Sequence, residues 1–233
     1  MLFSGVGIVL AGLLGTLAMT TWFYFAHAFG VARHNPGSYL GTLVFGVTRA
    51  AFAAGLVFHF LIGILAAWLY AALMSLWGIQ GGVGWGLLFG AVHWLIVMGL
   101  LGVVAPLHPA VRSGKLENPG FFARREGWSE ATGSLIDHLL FGAIVGGTLG
   151  TYHRHMGFAV PYSFESWMQP TLEPSIGYLV LVLALSVLFI VVASVTTKLG
   201  YGDEVFAAAT PDQDDPEWKI ARERRETPEV EGE

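Results

Sequence analysis

Eight histidines stand in this chain of 233 residues, which has no cysteine. Four of them, His27, His59, His93 and His138, fall inside long uncharged runs. An ionisable side chain within a membrane is costly and is a functional candidate by default, and neutral imidazole is a common nitrogen ligand for haem iron and other metals. The chemistry these residues suggest is axial ligation of a b-type haem, or a metal site, in a helical bundle. His59 and His138 are the leading pair, with His93 and His27 behind them. At about 1.5 Å rise per residue, the first two lie at one depth, roughly 10 Å from the nearer membrane face. Each is followed one turn later by a glycine, Gly63 or Gly142, where a porphyrin could find room. The competing reading is that each histidine hydrogen-bonds to a neighbouring helix while the glycines let backbones approach; both stay open. No carboxylate accompanies the histidines at mid-depth in this reading, which weighs against a hard-metal site. Asp137 adjoins His138, but successive helical residues point about 100° apart. It reads either as an interfacial residue near a helix start, favoured there by the dipole, or as a carboxylate behind the histidine.

Other chemistries find less purchase. The absence of cysteine removes thiolate metal sites, iron–sulfur clusters and disulfides. Nucleophile elbows, His-Glu-x-x-His pairs and phosphate loops are missing, so the expectation leans away from an enzyme. His153 and His155 flank Arg154 at a spacing of two and read as surface residues. Thr16, Thr20 and Thr21 are candidates for hydrogen bonds between helices.

The elements that must carry these residues follow from composition. Hydrophobic residues make up 54% and charged ones 12%, with a mean hydropathy of +0.60, against roughly 25% charged residues in soluble domains. A span needs about 20 apolar residues. Five runs qualify: about Leu2 to Phe29, Ala51 to Trp77, Val83 to Ala105, Ser134 to Tyr152 and Ile176 to Thr197. The first lacks the basic start of a signal peptide and is read as a true span. Eleven of the twelve Lys and Arg residues fall in 30–50, 106–133 and 198–233, leaving Arg154 alone on the other side. The positive-inside rule then puts the N-terminus outside and the C-terminus in the cytoplasm of a multi-pass protein of the cell inner membrane. Trp77, Trp85, Tyr162 and Trp167 would form the outer aromatic belt. In loop 106–133, Phe121, Phe122 and Trp128 suggest contact with the membrane surface, and its four cations could meet lipid phosphates. Residues 201–233 form an acidic cytoplasmic tail; from 203 onward it carries eleven acidic and four basic side chains, disordered in isolation, and reads either as a solvated tail without a partner or as a tether with a docking segment around Trp218 and Ile220. Net charge of −5 and this topology exclude nucleic acid as a partner.

Small residues recur at i+4. His59, Gly63, Ala67 and Ala71 match His138, Gly142, Gly146 and Gly150, and Gly12-Leu13-Leu14 matches Gly86-Leu87-Leu88. Gly63, Gly86, Gly90, Gly142, Gly146 and Gly150 are therefore helix-packing candidates. The fold class is an all-α polytopic membrane bundle: two parallel helical-hairpin repeats over 1–155, then an outer loop and fifth transmembrane helix over 156–200.

The run Asn35-Pro36-Gly37 with Leu40-Gly41, His59 to Gly63 with Tyr70-Ala71, Gly86 to His93, His108-Pro109 with Arg112-Ser113-Gly114, Pro119 to Phe122, and His138 with Gly142 resembles the YagU-like inner-membrane proteins. The likeness covers about residues 5–155. It implies a four-helix membrane core and no established activity.

Three functions are expected, in order. The first is a non-catalytic accessory or scaffold subunit of a larger membrane complex, whose partners are the lipid bilayer and other subunits. The second is a haem- or metal-binding electron-transfer protein using the intramembrane histidines, and the third a small-solute transporter.

Overall fold

The computed structural model describes residues 2–29, 31, 36–48 and 50–153, and beyond them 184–189, 191, 192, 194 and 195. Six α-helices follow one another: α1 (Gly5–Ala28), α2 (Pro36–Phe45), α3 (Ala51–Leu76), α4 (Val83–Val104), the single turn α5 (Pro109–Arg112) and α6 (Trp128–His153). Four of them, α1, α3, α4 and α6, are long and apolar enough to cross a membrane. The described residues contain no strand. Arg154, His155, the outer loop, most of the expected fifth span and the acidic tail lie outside the described residues.

The spans pack in the order α3, α1, α6, α4, with α2 laid against α3. The central pair is the more enclosed, 67% and 61% buried for α1 and α6 against 28% and 17% for α3 and α4. Accordingly α3 and α4 expose rows of large apolar side chains, among them Leu61, Leu65 and Trp68, and Leu88, Leu95 and Ile96. A soluble protein rarely exposes so much contiguous apolar surface, whereas hydrocarbon is its natural solvent.

Missing side chains decide how closely the helices approach. On α4 and α6, a Cβ on Gly86 would strike the carbonyl of Gly142, one on Gly90 that of His138, and one on Gly142 that of Gly86. Gly146 meets the Gly86 backbone and Gly150 that of Gly82. The Gly82 N–H, just ahead of α4, donates to Gly146 O at 2.7 Å and ties the α3–α4 turn to α6. Between α1 and α3, Gly12 lies against the Gly63–Ile64 backbone, and Gly63 faces the Thr16 side chain. The threonines of α1 stay within their own helix: Thr16, Thr20 and Thr21 donate to Gly12, Thr16 and Leu17 carbonyls at 2.7, 2.6 and 2.7 Å. Indoles supply polar ties between helices instead, Trp22 Nε1 to Gly133 O and Trp94 Nε1 to Ser134 Oγ, each at 3.0 Å.

Two elements differ from the sequence expectation. Segment 30–50, expected as a connecting loop, contains α2, which starts at a proline and stops before Gly46 in a left-handed conformation, φ +62°. It lies antiparallel on α3, where a Cβ on Gly41 would strike the Ala51 carbonyl and one on Gly55 the Gly37 carbonyl. The fourth span begins at Trp128 rather than Ser134, burying Glu130. Beyond the core, described residues 184–189 are helical, and the Phe189 ring stands 5.9 Å from Tyr24 of α1.

Candidate functional site

α3 and α4 are not packed backbone to backbone. The space between them, backed by α1 and α6 and bordered by α2, holds a cavity of about 270 Å³. Three of the four singled-out histidines line it: His59 from α3, His93 from α4 and His138 from α6. His27, half-buried near the end of α1, is not among its lining residues. Around them stand apolar groups such as Met19, Ile62, Val97 and Phe141.

Each imidazole is held differently. His138 Nδ1 lies 2.7 Å from the Ser134 carbonyl and touches Asp137 Oδ1. A carbonyl can only accept, so Nδ1 carries the hydrogen, and Nε2 at the opposite edge is an acceptor when the ring is neutral and a donor when it is protonated against Asp137. His93 Nδ1 is 3.2 Å from the Tyr70 hydroxyl, which reaches over from α3. His59 is 8% exposed, and its Nε2 is fully enclosed without a hydrogen-bond partner. An orphaned buried ring nitrogen facing a cavity calls for an explanation, since buried polar atoms are nearly always paired. The His93 and His138 rings meet edge to face at 5.0 Å, and Tyr70, Phe89 and Phe141 stack around them at 5.2–5.9 Å.

Asp137 is 0% exposed and sits in the third turn of α6. The reading of it as an interfacial residue at a helix start is corrected, because six further residues precede the expected start. A carboxylate therefore does accompany the histidines at depth. Its contact with His138 needs no 100° swing of the helix, since the ring turns back along its own backbone toward Ser134.

Among the described residues neither a haem nor a metal ion has a formed site. The space beside Gly63 is taken by Thr16 and that beside Gly142 by α4, so the glycines leave no slot for a porphyrin. The cavity is below the roughly 300–1,000 Å³ usual for drug-sized ligands, and a macrocycle needs more than most. Among the described residues no three His, Asp or Glu side chains are grouped to hold a metal ion.

His108, quoted above only within a motif, is a structural hub. It is 1% exposed, its Nδ1 accepts from Ala110 N at 3.1 Å to cap α5, and its Nε2–H donates to Tyr39 O at 2.9 Å. The signal was present: a histidine directly before a proline occupies an N-cap position. Tyr39, half-buried beside it outside the spanning helices, has its phenol pushed up to about 12 by desolvation. The ring therefore stays a neutral phenol. The loop after α5 turns back onto the bundle, with Phe121 over Gly102 and Phe122 5.2 Å from Trp94. Arg124 lies 4.4 Å over the Trp128 ring.

Four apolar helices around a histidine-lined cavity define the class, an all-helical membrane protein. No family model, no curated protein and no solved structure matches the chain.

Proposed function

We propose that this protein binds a small molecule within the membrane, in the cavity lined by His59, His93 and His138. The observation that carries this reading is the convergence of three buried imidazoles from three helices, one with an unpartnered Nε2 and one backed by a buried aspartate. A bundle needing only close packing gains nothing from polar rings around an apolar space. Solvent extraction of the purified protein tests it. The wild type should release a small molecule that His59→Leu and His138→Leu lose and that Gly99→Ala, on the open face of α4, retains. Equal yields from all four would overturn the reading.

An accessory role in a larger assembly is the second reading. What favours it is the outer surface of α3 and α4, where Leu61, Trp68, Leu88 and Leu95 offer another subunit an apolar face as readily as they offer it to lipid.

Finer features belong to the same proposal. The parallel hairpin repeat draws support from paired contacts at matched positions, Gly12 on Gly63 and Gly86 on Gly142. A fifth span draws support from the helical residues around Phe189. The N-out orientation in a cell inner membrane rests on the distribution of Lys and Arg. The likeness to the YagU-like family rests on the motifs quoted above.

A further inference from the structure

The histidine cavity has a neighbour. On the outer face of α2 and α3 lies a second hollow, also about 270 Å³, lined by Leu40, Leu43, Val44, Phe58, Leu61, Ile62 and Leu65. Leu40 and Ile62 line both spaces and so stand between the histidine cavity and an apolar groove on the lipid-facing side. The geometry points to a long-chain amphiphile as the ligand, its neutral hydroxylated head among the histidines and its chain running past Leu40 and Ile62 into the groove.

The head chemistry follows from the ring nitrogens. His138 Nδ1–H is committed to Ser134 and Asp137, which leaves Nε2 for the ligand, an acceptor when the ring is neutral and a donor when it is protonated against Asp137. His59 lines the same space, and a turn of its ring brings the unpartnered Nε2 to a second polar contact. Lining with no Lys or Arg, and a His138 already paired with Asp137, gives an anionic head no counter-ion, and a hydroxyl meets Nε2 in either protonation state, which a carbonyl does not. A hydroxyl both donates and accepts. The chain follows from the groove, whose seven lining residues are all apolar, and from its opening to hydrocarbon, where an alkyl or prenyl tail already resides. Entry from the bilayer needs no aqueous path.

This inference rests on the cavity reading above, and its test separates the two. Protein in phosphatidylcholine nanodiscs is titrated calorimetrically with decylhydroquinone, methylhydroquinone and decanol. Leu65→Trp and Val44→Trp, at positions 63% and 61% exposed and outside the lining of the histidine cavity, fill the groove from outside the packed core. Partitioning into the bilayer is common to wild type and variants, so it cancels. Both Trp variants should weaken decylhydroquinone about tenfold while leaving methylhydroquinone within about twofold. His138→Leu should abolish binding of both. Decanol binding as tightly as decylhydroquinone assigns the head to a simple alcohol, and weaker decanol binding assigns it to an aromatic diol; each is the proposed chemistry. If the Trp variants bind the decyl probe like wild type, the tail path is wrong and the cavity reading stands. If no hydroxylated probe binds wild type although extraction still yields a histidine-dependent molecule, the head assignment is wrong.

Discussion

His108 holds the end of the bundle together through two hydrogen bonds, a cap on α5 and a link to the Tyr39 carbonyl of α2. Replacing it with alanine orphans the buried Ala110 N–H and removes one of the donors to the Tyr39 carbonyl, which Thr42 Oγ1 also serves, and should cost about 1–3 kcal/mol in a detergent unfolding titration. His108→Asn keeps an N-capping acceptor and should lose less. At this scale the sequence was partly legible. Period and run length pointed to the intramembrane histidines, and three of them share one cavity, but the side-chain turn that brings His138 Nδ1 to Asp137 is a rotamer choice with no trace in spacing. His108 was overlooked although Pro109 marks it as an N-cap, because its burial and its reach to Tyr39 leave no trace in the sequence. The glycines beside His59 and His138 were legible as small and not as occupied, because what fills a gap belongs to another helix.

Among elements, the α4–α6 contact is the most extensive, and it offers an internal control. Gly90 and Gly99 lie on the same helix, yet a Cβ on Gly90 would strike the His138 carbonyl while one on Gly99 meets nothing within 4 Å. Gly90→Ala and Gly142→Ala should each lower stability by about 1–3 kcal/mol, since backbone cannot move aside as a flexible side chain can. Gly99→Ala should be neutral or slightly stabilising, and equal losses at 90 and 99 by thermal unfolding in detergent would contradict the packing described. The spanning helices were readable because twenty apolar residues leave little alternative. Helix α2 was not, since ten residues fall short of a span and its helical character comes from Gly41 and Gly55 packing onto backbone. Pro36 and Gly46 did bracket it.

For the whole molecule, α2, α5 and the 121–123 turn gather at one end, through contacts such as His108 with Tyr39, and the α3–α4 turn lies at the other. A chain without cysteine makes the test direct. Single cysteines at Gln80 and Ser113 should label from opposite sides of the membrane with an impermeant maleimide, Gln80 from outside under the proposed orientation. Labelling of both from one side would break the topology. The same layout has a mechanical corollary. Backbone-to-backbone glycine contacts weld α1 to α3 and α4 to α6 into two stiff jaws that share the α1–α6 seam as a fulcrum. Opposite that fulcrum the jaws are joined by the α3–α4 turn, by Phe89 against Tyr70 and Trp77, and by the Tyr70 hydroxyl on His93, a polar pin across the gap. Tyr70→Phe keeps the ring and pulls the pin. Distances between spin labels at Leu65 and Ile96 should then spread while the melting temperature stays nearly unchanged, because a latch governs how far a clamp swings and contributes little to the strength of its arms.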